Sequence, residues 1–456
     1  MGFSPTVVYN WCKMEFRDRK NETKELMERL NSKKFEFIII YGRRRVGKTE
    51  LVLHVSKHKK TVYYLTVGKN NLERFYNACL EFDGNIKNLR SDFEVLLDYL
   101  KDKAEIVIID EFQNLIKEDK NILNLLQAVI DTKLKNSGLK LILLSSSVSM
   151  ITSKVLDYQS PLYGRRTSSM KLKPVSFFDL KEFFPDKKTE ELVEIYGFSG
   201  GIPYYLIRID APFWKFLGRE IKEGFLKDEI DFLMKYEFED SNTYKLVLEA
   251  IAQGSTKLGE IKNFIKVSRT DLSPYLQNLI EVDLITREVP LTENVKSRNG
   301  RYYLKDNFLK FWFKYIYPNL SGIESGAFNS ELIKNNFSEY LGGVFEEISK
   351  QYLIKTRFFG FISLGKWWFK ERGIDILALN ESRKEALFGE CKWKDKVNPL
   401  EVLGALEEKA KFVRWHDAER KEVFAVFAKS FSKKVSEFNG RKVYCIGLKE
   451  IERALS

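Results

Sequence analysis

At 456 residues, 44% of them hydrophobic, the chain is too long for one core and calls for roughly two to four domains. Its net charge of +12 is spread along the chain rather than gathered in a tail, which favours a polyanion such as nucleic acid as partner. The composition argues against a disulfide framework, since the four cysteines are scattered without metal-type spacing, and against a membrane span, since no apolar run approaches ~20 residues. A reducing cytoplasm fits this usage, and the first residues lack the pattern of a secretory leader.

In chain order, Phe16-Arg17-Asp18-Arg19-Lys20 leads into an amphipathic helix with Leu26 and Leu30 on one face. Phe35 to Tyr41 reads as a strand. The segment Gly42-Arg43-Arg44-Arg45-Val46-Gly47-Lys48-Thr49 follows, and then a helix. A Gly-flanked turn between strand and helix, closed by Lys-Thr, is the Walker A pattern. Small residues let backbone N–H groups curl around phosphate, the helix N-terminus adds positive potential, lysine reaches the β- and γ-phosphates, and the Thr49 hydroxyl takes a place on Mg²⁺. Solvation is the plainer expectation for Arg43, Arg44 and Arg45, although each lies within reach of a phosphate.

Thr61 to Val67 is β-branched and aromatic and reads as a second strand; Asn71 to Leu80 and Phe93 to Leu100 have helical periodicity. Glu105 to Ile109 is a continuous apolar run ending in Asp110-Glu111-Phe112-Gln113, as expected of a buried parallel strand whose C-terminal end faces a ligand. Asp110 is the candidate Mg²⁺ ligand and Glu111 the group that polarises the attacking water. Leu139 to Ser147 is another buried strand ending in three serines; Ser145 or Ser146 is a candidate sensor of the γ-phosphate, against a plain serine-rich turn. Arg165 and Arg166, on the loop after it, are candidates for an arginine finger in cis or to a neighbour, against a plain structural role.

Short helices are expected at Phe177 to Phe184 and Glu190 to Tyr196, and Gly200-Gly201-Ile202-Pro203 breaks the chain before another. From about Asn242 three helices (Tyr244 to Ala252, Lys257 to Phe264, Thr270 to Ile280) and a strand pair (Ile285 to Pro290, Arg301 to Leu304) give the order of a winged helix. Ser268, Arg269, Thr270 and Gln277, with Lys296 and Arg298 of the wing, would meet DNA; a packing or autoinhibitory module has the same pattern. The aromatic stripe Phe308 to Ile316 reads as core.

The last third is a separate α/β unit: a helix bearing Phe345-Glu346-Glu347, strands at Phe358 to Leu364, Gly373 to Leu379 and Ala386 to Trp393, a helix Leu400 to Phe412, and strands Val423 to Phe427 and Val443 to Ile446. Asp375 sits mid-strand among isoleucines, a costly place for a carboxylate unless paired or metal-bound. Glu390 and Lys392 share a face of the next strand. Two carboxylates holding metal and a lysine orienting water suit a Mg²⁺-dependent phosphodiesterase; the competing expectation is an ion pair with Lys392.

Together these segments resemble the archaeal ATPase family of P-loop proteins, related to the signal-transduction ATPases with numerous domains (STAND) and more distantly to AAA+. The C-terminal part is similar to PD-(D/E)XK nucleases through Gly365-Lys366-Trp367-Trp368, Ile374-Asp375 and Gly389-Glu390-Cys391-Lys392-Trp393. The resemblance implies an α/β P-loop ATPase core (1–175), a helical lid (176–240), a winged helix (241–305), an aromatic connector (306–335) and a nuclease-like domain (336–456). It also implies ATP and Mg²⁺ as cofactors and DNA or RNA as partner of the winged helix and C-terminal domain, while a single chain and an oligomer both stay open. By the same likeness Arg19 lies near the adenine and Pro203 follows the nucleotide from the lid.

Overall fold

The computed structural model describes residues 16–17, 19–238, 241–266 and 271–455. Asp18, Ser268, Arg269 and Thr270, all singled out above, lie outside the described residues. The chain divides into two compact units, Met1–Pro174 and Val175–Ser456.

The first unit is built on five parallel strands: β1 (Glu36–Tyr41), β2 (Thr61–Leu65), β3 (Ile106–Asp110), β4 (Lys140–Ser145) and β5 (Ser168–Lys171), in the order β2-β3-β4-β1-β5. Alternation divides the apolar strands between two layers. Phe37, Ile39, Val107, Ile109, Leu141 and Leu143 enter one core; Ile38, Ile40, Ile106, Ile108, Ile142 and Leu144 enter the other. Both faces are covered, which is why these strands read as unbroken apolar runs. Helix α1 (Lys20–Leu30) and helix α2 (Lys48–Ser56) flank the sheet on the second layer, through Leu26, Leu30, Leu51, Val52 and Val55. The polar segment Ser-Ser-Met-Lys of β5 has no apolar signature in sequence; it is an edge strand, paired on one side to β1.

The second unit holds one continuous apolar core running from Val175 to Ile451. Helix α3 (Thr189–Ser199), the three helices α4 (Ser241–Ala252), α5 (Leu258–Ile265) and α6 (Ser273–Glu281), and the antiparallel pair β6 (Ile285–Glu288) and β7 (Arg301–Leu304) precede the aromatic stripe. Phe308, Phe311, Trp312, Phe313 and Tyr315 of that stripe are buried, and the Trp312 indole donates to Leu226 O at 2.6 Å. Gly201 has φ 72°, and a Cβ there would stand 2.0 Å from Val175 O, so the break before Pro203 requires glycine.

The 26-residue helix α7 (Glu331–Thr356) then leads to a six-stranded mixed sheet: β8 (Ser363–Phe369), β9 (Arg372–Asn380), β10 (Glu385–Lys392), β11 (Lys421–Ala428), β12 (Glu437–Phe438) and β13 (Arg441–Ile446), in the order β12-β13-β11-β10-β9-β8. Helix α8 (Pro399–Ala410) connects the parallel strands β10 and β11. The strand expected at Phe358 to Leu364 begins instead at Ser363. Arg357, at φ 48°, ends α7, and Phe359 is spent as a buried anchor before the sheet edge begins. Hydrophobicity alone does not separate such a plug from a strand.

Candidate nucleotide site and carboxylate cluster

The Gly-flanked loop joins β1 to α2. Gly42 N–H donates to Ser145 O at 3.2 Å, which fixes the start of the loop to the end of β4. Gly42 has φ 153° and its absent Cβ would stand 2.3 Å from Leu172 O, so this close approach excludes any larger residue. Lys48 is buried; its ammonium donates to Gly42 O and Arg43 O, each at 2.9 Å. The positive head is thereby folded into the loop at the N-terminus of α2, where backbone N–H groups already favour an anion.

At the end of β3, Asp110 Oδ2 accepts from the Thr49 hydroxyl at 2.6 Å and the Tyr63 hydroxyl at 3.0 Å, while Oδ1 accepts Glu111 N–H at 2.7 Å. Burial raises the Asp110 carboxyl above the usual carboxylate range and the Glu111 charge adds to it, against those hydrogen bonds. Glu111 adopts φ 53°, an uncommon left-handed backbone for a non-glycine residue. This turn aims its side chain at β4: Oε2 accepts the Ser146 hydroxyl at 2.6 Å and the Gln113 amide, and Oε1 lies 3.9 Å from the Arg44 guanidinium. Burial opposes ionisation of Glu111, but the donors Ser146 and Gln113, then the charges of Lys48 and Arg44, carry its pKa below the usual value. A hydroxyl and an ionisable carboxylate beside a phosphate-type loop fit Mg²⁺, which is commonly held by one or two protein oxygens plus phosphate oxygens.

The second carboxylate group lies in the C-terminal sheet. Pairing of β9 with β10 ends at Gly389 opposite Ile376, bringing Asp375 alongside Glu390 one step on. Asp375 Oδ2 accepts Cys391 N–H at 2.9 Å. Its pKa is pushed up to about 7 by burial first, then by the charges of Glu346 and Glu390. Glu390 is buried and salt-bridged twice, to Lys392 at 2.9 Å and to Lys409 of α8 at 2.9 Å. Glu346 of α7 accepts the Lys366 ammonium at 2.6 Å. Among the described residues, no three His, Cys, Asp or Glu side chains converge as a ready metal cage.

Residues 16–209 match the family described as an ATPase domain predominantly from Archaea, and residues 312–411 match one described as archaeal and bacterial proteins of unknown function. An uncharacterized protein of Methanocaldococcus jannaschii, MJECL04, is 50% identical over 428 residues, spanning 92% of this chain and 97% of its own. The chain belongs to the archaeal P-loop ATPase family. The Walker-type ATPase PABY2304 of Pyrococcus abyssi shares the fold at TM-score 0.52 and 22% identity, over 66% of this chain and 96% of that one.

In this ATPase the residues singled out in sequence fall into three places. Gly42 to Thr49, Asp110, Glu111, Ser145 and Ser146 gather at the C-terminal ends of β1, β3 and β4. Arg19, buried and at φ 70°, donates to Val46 O at 3.0 Å and Lys173 O at 2.6 Å, so its guanidinium buttresses the loop from the side of α1. Asp375, Glu390 and Lys392 gather in the C-terminal sheet, and Pro203 opens a short helix in the second unit. Arg165 forms a bidentate pair with Asp131 at 2.7–3.1 Å and donates to Pro161 O at 2.8 Å; Arg166 donates to Leu156 O at 3.2 Å. None of these partners belongs to the phosphate loop.

Several residues at the two sites were missed in sequence. Tyr63 and Gln113 are polar positions within recognised segments, but nothing in their spacing shows which carboxylate they serve. Glu346, Lys366 and Lys409 come from three different elements. The i, i+2 pair Glu390–Lys392 was legible because the two are local; Lys409 meets Glu390 only through the β10–α8 crossover.

Proposed function

We propose that the protein is a Mg-ATP-driven switch whose turnover controls a nucleic-acid-facing C-terminal domain. The reading rests above all on the Thr49–Asp110 hydrogen bond at 2.6 Å, beside a loop that holds the Lys48 ammonium at its carbonyls. In this reading Gly42 to Gly47 wrap the phosphates, Lys48 neutralises the β- and γ-phosphate oxygens, Thr49 and Asp110 hold Mg²⁺, and Arg19 supports the loop. Glu111 takes up the proton of the attacking water, and Ser146 holds Glu111 in place. Bound Mg²⁺ would supply charge neutralisation on the transferred phosphoryl group. Residues 241–305 act as the winged helix and 336–456 as the domain it serves. Turnover measured with and without DNA, beside light scattering of the nucleotide-free and ATP-bound forms, tests this function. DNA that leaves both turnover and assembly unchanged removes the nucleic-acid part; no phosphate release at all removes the whole.

A second reading, an ATP-gated nuclease, is favoured by one observation: Asp375 and Glu390 stand on the neighbouring strands β9 and β10, with Glu346 and Lys392 close by. Lys392→Ala should then abolish Mg²⁺- or Mn²⁺-dependent cleavage of plasmid or single-stranded DNA. Wild-type protein that leaves every nucleic acid intact with ATP and either metal would sink it.

A further inference from the structure

Gln113 is 2% exposed, Ser145 0% and Ser146 5%, and together they form a closed polar relay between the end of β3 and the end of β4. The Gln113 amide nitrogen donates to Glu111 Oε2 and to Ser146 Oγ at 3.0 Å. Its carbonyl oxygen accepts the Ser145 hydroxyl at 2.7 Å. The Ser146 hydroxyl donates to Glu111 Oε2 at 2.6 Å, and Ser145 Oγ accepts Ser147 N–H at 3.2 Å. This pattern admits a single orientation of the amide. Flipping it would set the Gln113 carbonyl against the Glu111 carboxylate and face the NH₂ toward a hydroxyl already receiving an N–H. The relay anchors one carboxylate oxygen, Oε2, with the Gln113 amide and the Ser146 hydroxyl, beside a longer bond from Ser146 N–H at 3.4 Å. It leaves Oε1 on the side of Arg44, 3.9 Å away.

A glutamate side chain has three rotatable bonds, and Glu111 starts from a left-handed backbone that few residues adopt. Without buried donors, nothing in its own conformation would choose one rotamer over another. A general base must hold its oxygen within hydrogen-bond reach of the water it deprotonates, so a loose base loses turnover more than binding. Burying an amide is costly unless each of its polar atoms is matched. Here both polar atoms of Gln113 are matched, and the donors end on the carboxylate rather than on backbone.

We propose that Gln113 is the positioning residue for Glu111, locking Oε2 so that Oε1 is presented to the attacking water, and that Ser145 fixes the orientation of the Gln113 amide. This deepens the ATPase function and rests on Glu111 acting as base. It also divides the labour of the serines: Ser146 touches the carboxylate itself, whereas Ser145 acts through the glutamine.

The test is a double-mutant cycle on the full chain, with kcat, KM and ATP affinity measured separately. Gln113→Met keeps the volume and removes the amide. It should lower kcat about 10- to 100-fold, with ATP affinity and melting temperature close to wild type. Ser145→Ala should lower kcat less and add little on top of Gln113→Met. Introduced into Glu111→Gln, Gln113→Met should cost almost nothing further, because the group it positions is no longer a base. Gln113→Met with wild-type kcat overturns the proposal. So does an equal kcat loss in the wild-type and Glu111→Gln backgrounds, which would mark a structural role. If Gln113→Met lowers the melting temperature sharply, Ser145→Ala carries the test: its kcat loss must vanish in the Glu111→Gln background, and a loss that persists there refutes the relay. If Glu111→Gln itself turns over at the wild-type rate, it is the choice of Glu111 as base that fails, and this result is separate from the others.

Discussion

Each unit of the protein gathers carboxylates at its sheet, Asp110 and Glu111 in the first and Asp375, Glu390 and Glu346 in the second, yet the two groups are met by different partners. Asp110 and Glu111 are hydrogen-bonded by the neutral donors Thr49, Tyr63, Ser146 and Gln113. The Arg44 guanidinium stands farther off, 3.9 Å from Glu111 Oε1. Glu390 and Glu346 are matched by ammonium groups, Lys392 and Lys409 for the first and Lys366 for the second. Asp375 accepts a backbone N–H, with the Lys366 charge acting on it more weakly than burial, and is driven toward neutrality. A carboxylate hydrogen-bonded by hydroxyls is poised for Mg²⁺; one already neutralised by lysine must give up that partner first. The difference teaches that similar clusters of acids are kept in a fold by different partners, hydroxyls and an amide in the first and lysines in the second.

The comparison can be broken most decisively at Lys48. Lys48→Ala removes the one ammonium folded into the loop at Gly42 O and Arg43 O, and hydrolysis should fall by about 10³-fold, with ATP affinity also reduced; phosphate release near the wild-type rate would dissolve the contrast between the sites. Glu111→Gln keeps the shape but not the base. It should lower kcat by about 10²-fold while ATP still binds, so that a stalled complex is seen by nucleotide retention.

In the second site the contrast is sharpened by pH. Asp375 titrates near 7 when folded, because of its burial and the charges of Glu346 and Glu390, but near the ordinary ~3.9 when unfolded. Between those values the folded state binds the extra proton. Stability is therefore lost as pH rises from about 4 to about 7 and stays low above that range. Each unit of displacement corresponds to about 1.4 kcal/mol. Asp375→Asn should accordingly raise the melting temperature at pH 8 and change it little at pH 4; equal effects at both pH values would mean that the carboxylate is not held as described.

The smallest expected effect concerns the wing. Leu291 N–H donates to Lys366 O on the edge strand β8 at 2.9 Å, the Trp368 indole donates to Asn299 O at 3.2 Å, and the Arg301 guanidinium stands 4.9 Å over the Trp368 ring. The hairpin tip, read in sequence as either a DNA contact or a packing module, is thus partly covered by the C-terminal sheet. Trp368→Ala should speed amide exchange at Leu291 on the order of tenfold. Exchange unchanged in that variant would show that the other contacts hold the tip alone.

The parallel sheet was legible because β1, β3 and β4 are covered on both faces and so are written as unbroken apolar runs. The edge strand β5 was not, since a strand buried on one side and paired on one side needs no apolar signature. The position of β8 was misjudged because Phe359 anchors a loop with a residue that a strand would also use. Within the candidate sites, chain neighbours were readable and partners from elsewhere were not: Glu390 and Lys392 stand two apart, whereas Lys409 and Glu346 come from two different helices.

By itself, then, the sequence determined the phosphate-type loop from Gly42 to Thr49, the acids ending β3 and the acid–lysine pair ending β10, because each is a property of contiguous residues whose backbone conformation follows from local composition. Only tertiary structure decided what neutralises each carboxylate. The Ser146 donor on Glu111, the Lys366 ammonium on Glu346 and the second lysine on Glu390 are set by which strands and helices become neighbours. Burial then makes those long-range choices matter, since a charge removed from water must find its partner inside the fold.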